Sequence, residues 1–344
     1  MNSFQRVMNT LSGQPVDRLP VFGVFGAYGA NLTGVDLRTL YSDVEAYVAA
    51  QQAMQKEFGF DLVLSVFDYS ILAEAFGGEV AWFSNQTPNV RRVAVGKAAD
   101  ALKLPMPDVY STARMPMVLE VNRRLRDLYK EQVPIVGVLP GPCILPSLLI
   151  GLEAWIETIL FDPELAQRLL QHTAPLFISW AAALLESGAD CLVFTEAMAA
   201  SEVVPRALFA EQCLPHLHRV LAQIPGPTIF HHTGGSIQHI LDLLPGLESV
   251  VGVAVGSKDD LTEARRLLGP QMNLIGNLDG LSFPGYTAEQ VFEKSLAVLR
   301  KAGTAGHFIL CNSAADVPQA TPPENLRSML AASAKFSAEI GCGQ

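Results

Sequence analysis

Hydrophobic and polar positions along the chain fall into two alternating kinds of stretch. Short apolar runs rich in β-branched and aromatic residues occur at 21–26, 61–67, 134–139, 190–196, 228–233, 250–255, 273–278 and 307–311. Their brevity and near-continuous apolar character are those of buried strands. Between most of them lie segments with helical spacing: an amphipathic opening at 4–11 closed by Ser12-Gly13, then 43–58, 116–131, most of 143–187, and 205–221. Pro116 suits the first position of its helix, because its missing N–H would have no partner there. Residues 79–83 against 91–95 alternate like a half-exposed hairpin. Eight buried strands mostly separated by helices, in a chain longer than the ~250 residues typical of the class, predict an α/β fold: a (β/α)8 TIM barrel with an N-terminal extension and a β-hairpin insertion. No linker, repeat or low-complexity tract divides it, so residues 1–344 read as one domain.

In such a barrel, chemistry belongs at the C-terminal ends of the strands. The runs at 190–196 and 228–233 both end in metal-capable side chains, and the helical segment between them carries Glu211. If the runs are neighbouring parallel strands, Glu196 and His232 project from adjacent strand ends and Glu211 leans over the same rim. Two carboxylates and an imidazole with a fourth position open form a candidate divalent-metal site. Other polar residues at strand ends are Asp68, His231, Asn277, Asp279 and Asn312. Each has a plainer alternative. Asp68, Asn277 and Asp279 can cap a turn or helix, the histidines can be hydrogen-bonded core residues, and Glu211 can be a glutamate at the solvent margin. His231 and His232 alternate faces, so at most one enters the barrel mouth.

Composition narrows the partners. With 49% hydrophobic and 17% charged residues the chain can bury a large core. A net charge of −10 without a basic stripe argues against nucleic acid. No apolar run is long enough to span a bilayer, and the start lacks the pattern of a signal peptide. Five cysteines, Cys143, Cys191, Cys213, Cys311 and Cys342, show no paired spacing, as expected of a reduced cytoplasmic protein.

Several longer motifs carry a resemblance: Gln14-Pro-Val-Asp-Arg-Leu-Pro-Val21, Phe67-Asp68 followed by Ala73-Glu-Ala-Phe-Gly77, Gly141-Pro142, Gly276-Asn-Leu-Asp279, and Ala320-Thr-Pro-Pro-Glu-Asn325. In these the chain resembles the uroporphyrinogen decarboxylase superfamily, which includes porphyrinogen decarboxylases and corrinoid-linked methyltransferases on (β/α)8 barrels. Asp68 matches the decarboxylases' catalytic aspartate. The loop in which those enzymes place carboxylate-binding arginines reads Phe25-Gly-Ala-Tyr-Gly-Ala30 here, without a basic residue. The thiol-directed methyltransferases bind zinc through a His-x-Cys pair and a later cysteine. This chain has His231-His232-Thr233, and Ala314 and Ala315 near the later position.

A third branch is similar in spacing. The methyltransferase I component of phenyl methyl ether O-demethylases carries glutamate, fourteen residues, glutamate, twenty residues, histidine, and Glu196, Glu211 and His232 reproduce that spacing. The resemblance implies zinc on those three residues, a vanillate-, guaiacol- or veratrol-type ether as methyl donor, and a corrinoid (cobalamin) supplied by a separate corrinoid protein. A homo-oligomer is compatible with it. It also implies a catalytic set of Asp68, His231, Glu196, Glu211 and His232, with Asp68 or His231 supplying the phenolic proton. Tyr28, Tyr69, Met198 and Asn277 are the expected substrate contacts, with Phe25 beside them; for the apolar ones, simple core is the alternative. The competing readings are methyl transfer from a methylcorrinoid to a thiol or folate acceptor, then a decarboxylase-like lyase.

Overall fold

The computed structural model describes residues 1–313 and 316–341. Ala314, Ala315 and Cys342 lie outside them. The strands in chain order are β1 (Val63–Leu64), β2 (Glu79–Ala81), β3 (Asn89–Arg92), β4 (Ile135–Pro140), β5 (Cys191–Thr195), β6 (Thr228–His231), β7 (Val250–Ala254), β8 (Asn273–Asp279) and β9 (Phe308–Ser313). Seven of them form one parallel sheet in the order β1-β4-β5-β6-β7-β8-β9. The sheet curls until its edges meet at residues 20–22. Val21 bridges Leu310 in parallel. The Phe22 N–H donates to the Leu310 carbonyl at 2.8 Å, and on the other side the Asp61 N–H donates to the Val21 carbonyl at 3.0 Å. This segment is the eighth stave of a (β/α)8-type barrel, as the spacing predicts.

Three expectations need correction. The strand expected at 21–26 shrinks to the single bridge at Val21, because side chains take the N–H groups a ladder would use: Val24 N–H donates to Asn312 Oδ1 at 2.8 Å, and Gly26 N–H to Asp316 Oδ1 at 2.6 Å. The hairpin pairs β2 with β3, so its second strand starts at Asn89 rather than 91, with Ala81 opposite Asn89. Val95 is outside it, its N–H donating to the Leu149 carbonyl.

The helix expected at 205–221 is the third correction. It is α-helical at Arg206–Leu208 and Leu214–Leu221 and widens to a π turn at Phe209–Cys213. The Leu214 N–H reaches back to the Phe209 carbonyl, one residue further than in an α-helix. Pro215 accounts for the break: it has no N–H to donate, and its ring would crowd the carbonyl of residue 211 in a regular helix.

The interior has two layers. Inward side chains of the staves, among them Phe22, Leu64, Val138, Ile229, Ile275 and Ile309, fill the lumen, and the larger cluster lies between sheet and helices. The N-terminal helix Ser3–Leu11, started by an Asn2–Gln5 capping box, pushes Val7 and Leu11 against the lumen cluster from the N-terminal end of the strands. It is fastened there by charge. Asp61, fully buried, accepts from Arg6 at 2.7 Å, from Arg18 at 2.6 Å and from the Val21 N–H at 2.8 Å, while Arg6 also holds Asp17 at 2.7 Å. This floor closes the N-terminal end of the barrel. Among the described residues no helix is long and apolar enough to cross a membrane, and the four described cysteines are free and buried.

Candidate active site

A cavity of about 610 Å3 opens where the strands end. Its wall is mainly apolar, with Phe22, Val138, Val193, Ile229 and Ile309 from five staves. The hairpin tip, Asn85 to Asn89, and Leu281 stand at the cavity as well. Its charged or titratable lining residues are Tyr47, Asp68, Tyr69, His231, Cys311 and Asp316; no lysine or arginine is among the described lining residues.

His231 is the last residue of β6, and its ring lines the cavity. Burial, with His232 adding to it, holds its pKa well below the usual histidine range, so the ring is neutral. The Thr233 N–H donates to Nδ1 at 3.1 Å, Thr233 having a left-handed backbone (φ 59°). A neutral ring that accepts at Nδ1 carries its proton on Nε2. His231 therefore offers the cavity a hydrogen-bond donor.

His232 takes the other direction, as the alternation predicts, and does not line the cavity, although the two rings stack with centroids 4.8 Å apart. Its Nδ1–H donates to the Ala254 carbonyl at 3.0 Å, and its Nε2 is buried without a partner. That is how a metal-binding imidazole is usually held, with one nitrogen on a carbonyl and a free lone pair on the other. Glu196 follows β5 and is fully buried. Its carboxylate accepts from the Cys143 N–H at 2.8 Å and the Met198 N–H at 3.1 Å. Burial overrides those bonds and lifts its pKa to about 8. Gly141 makes this fit possible, since a Cβ there would stand 2.4 Å from Glu196 Oε2.

These two donors suit a metal in kind: among the described residues, a buried, unpartnered imidazole nitrogen and a buried carboxylate with no cation beside it. The expected convergence of Glu196, Glu211 and His232 on one point is absent from this arrangement. Glu196 is drawn toward residues 141–143, His232 toward Ala254, and Glu211 stands exposed on the π turn while its neighbours Gln212 and Cys213 are buried. Among the described residues no three His, Cys, Asp or Glu side chains come together to hold a metal.

Asp68 lines the cavity, but its carboxylate is committed to Arg114 at 2.8 Å, to the Ser70 hydroxyl and to the Ile71 N–H at 3.1 Å. Tyr69 lines it too; its hydroxyl donates to Thr195 Oγ1 at 2.9 Å, and burial raises its pKa to about 12. The other expected contacts lie elsewhere. Tyr28 is buried with its hydroxyl on the Thr321 carbonyl, Met198 is fully buried, and Phe25 packs on Phe60. Asn277 spends its amide on the Gly256 and Asp259 carbonyls, Asn312 holds Val24, and Asp279, exposed, accepts from Ser282.

One cavity residue escapes the sequence reading. Asp316 accepts from the Gly26 N–H at 2.6 Å, the Ala27 N–H at 3.1 Å and the Tyr41 hydroxyl at 3.5 Å. Burial raises its pKa to about 6 against those three bonds. Its signal was its place, five residues past the last apolar run, in the loop where a barrel concentrates chemistry.

The model of the uroporphyrinogen decarboxylase (URO-D) family matches residues 2–336. The chain belongs to that family. Within it, this URO-D chain is 25% identical over 339 residues to the methylcobamide:CoM methyltransferase MtaA of Methanosarcina barkeri, covering 97% of this chain and 98% of the relative. It is 26% identical to MtbA of Methanosarcina acetivorans, also a methylcobamide:CoM methyltransferase, over 95% of this chain and 96% of that one. A uroporphyrinogen decarboxylase of Anaeromyxobacter sp. is 26% identical, with 96% and 99% covered. A solved methyltransferase from Methanosarcina mazei shares the fold at a TM-score of 0.88 and 22% identity, covering 98% of this chain and 99% of that one.

Proposed function

We propose that this URO-D family chain is a methyltransferase that removes the methyl group of a small phenyl methyl ether, of vanillate, guaiacol or veratrol type, and passes it to the corrinoid of a partner protein. The observation that carries this reading is a neutral imidazole donor set in an apolar cavity with no lysine or arginine among its described lining residues. Its volume falls in the ~300–1,000 Å3 range of small-molecule sites. A tetrapyrrole polycarboxylate would need arginines there; an aryl ether needs an apolar wall and one donor aimed at the oxygen that leaves.

The demand on the chain is set by the leaving group. A phenol has a pKa of about 10, so phenolate leaves poorly without help. The ring packs against the aliphatic staves, which exclude water, and the methyl carbon faces the open mouth. As the C–O bond breaks, its electron pair stays on oxygen and His231 Nε2–H donates to the growing charge, a preorganised donor in a dry site. Asp68, tied to Arg114, keeps the adjoining wall in place. Zinc, if held by Glu196, Glu211 and His232, would supply a Lewis acid for an oxygen ligand; the E-x14-E-x20-H spacing and the unpartnered Nε2 of His232 support that donor set.

The test combines metal content and product analysis. Purified protein should hold about one zinc per chain, lost in Glu196→Ala, Glu211→Ala and His232→Ala. With a reduced corrinoid protein, an aryl methyl ether should yield the phenol. A metal-free, fully active Glu211→Ala protein would overturn the donor set.

A second reading, methyl transfer from a methylcobamide to a thiol, is favoured by the names of MtaA and MtbA, alike to this chain over nearly its whole length. Against it stands Thr233, where the thiol-directed enzymes have a zinc-binding cysteine. Methylcobalamin with coenzyme M, assayed beside the ether reaction, separates the two.

A further inference from the structure

We infer that the cavity is a charge filter, admitting uncharged aryl ethers and rejecting carboxylate-bearing ones, with Asp316 the residue that sets the selection. The inference rests on the O-demethylase reading above and narrows its substrate class. Two carboxyl groups line the cavity, and their surroundings differ. Asp68 is ion-paired with Arg114, whose guanidinium also holds Glu74 at 2.8 Å. Asp316 has no such partner among the described residues: its oxygens accept from two backbone N–H groups and a tyrosine hydroxyl, none of them charged. Those three donors support the ionised form, and a pKa of about 6 leaves Asp316 mostly anionic at neutral pH.

Nothing in the wall offsets that charge for an incoming anion. No lysine or arginine is among the described lining residues. A substrate carboxylate would give up its hydration for apolar side chains and meet a like charge, and both effects oppose binding. The same ring without the carboxylate loses neither.

The experiment measures binding by calorimetry at pH 7.5 with 1,2-dimethoxybenzene and 3,4-dimethoxybenzoate, on the metal-loaded wild type and on Asp316→Asn. Wild type should bind the neutral ether about 100-fold more tightly, the order that repulsion between like charges a few ångströms apart in a protein interior produces. Asp316→Asn, which keeps an oxygen for the Gly26 N–H, should narrow the ratio to about 10-fold or less, chiefly through tighter benzoate binding. Equal binding of the two ligands to wild type overturns the filter even if the variant fails to fold, and an unchanged ratio in a folded variant overturns the role of Asp316. Neutral ether that binds selectively but is not demethylated in the presence of a reduced corrinoid protein overturns the O-demethylase reading while the filter stands. Binding of neither ligand overturns both.

Discussion

The strand β6 ends in two histidines whose side chains serve different ends. His231 presents Nε2–H to the cavity because the Thr233 N–H occupies Nδ1, and His232 keeps Nε2 bare because the Ala254 carbonyl occupies its Nδ1–H. His231→Phe, which keeps bulk and removes the donor, should lower the turnover number for an aryl ether by about 100-fold. His231→Gln, able to donate from a nearby position, should recover part of it, with melting temperature checked in both. Asp316 gives a pH effect with a definite sign. Its folded pKa, raised from 3.8 to about 6, means the folded state holds the proton more tightly. The stability this adds is complete below pH 3.8 and is lost as pH rises through 6. Melting temperatures across that window should therefore fall with pH in wild type and fall less in Asp316→Asn.

The strand-end rule made His231, His232, Glu196 and Asp68 visible in the sequence, because each ends or directly follows an apolar run. It overreached at Tyr28, Met198 and Asn277, where the same residue types at the same places serve packing and carbonyl capping. It missed Asp316 because the loop carrying it has no periodicity to mark it.

At the scale of elements, the segment from Arg206 to Leu221 has the most to say. Its apolar positions keep near-helical spacing on both sides of the π turn, so the pattern runs straight through, and only Pro215 betrays the break. The wide turn fixes which way Glu211 faces. Replacing Pro215 by Ala restores the missing N–H and removes the ring, so the segment should close toward a regular α-helix and turn Glu211 relative to the helix that follows. Helix content by circular dichroism should be unchanged, while zinc retention by elemental analysis should drop to that of Glu211→Ala. Retained zinc would mean that Glu211 is not a ligand. The hairpin shows the converse limit. Alternation identified its existence, but its register depends on which residues pair, and that is set by the turn and by the packing of Val90 and Trp82 on the core.

For the whole molecule, the barrel was legible because eight short apolar runs separated by helices admit few other solutions. The closure at residues 20–22 was less so, since one bridge and a few side-chain hydrogen bonds stand where a full strand was expected. The motif 14–21, part of the family resemblance, proves to serve the floor: Asp17 and Arg18 join Arg6 and Asp61 beneath the strands, far from the cavity mouth. Asp61→Ala would strand Arg18 and half of the Arg6 fork. It should cost about 3–5 kcal/mol in chemical denaturation, the range for breaking a buried ion pair, with little change in KM for the variant that still folds.

That floor also governs sequence in time. Val7 and Leu11 stop the lumen from below, so among the described residues the cavity is a well whose entrance lies where the strands end. A macromolecular methyl acceptor settled over the entrance would shut in whatever the well contains. On the proposed function, the ether would therefore enter before the corrinoid protein docks, and the phenol would leave only after it departs. Steady-state kinetics should show a compulsory order, with the phenol competing against the ether and the corrinoid protein unable to reverse that inhibition at any concentration.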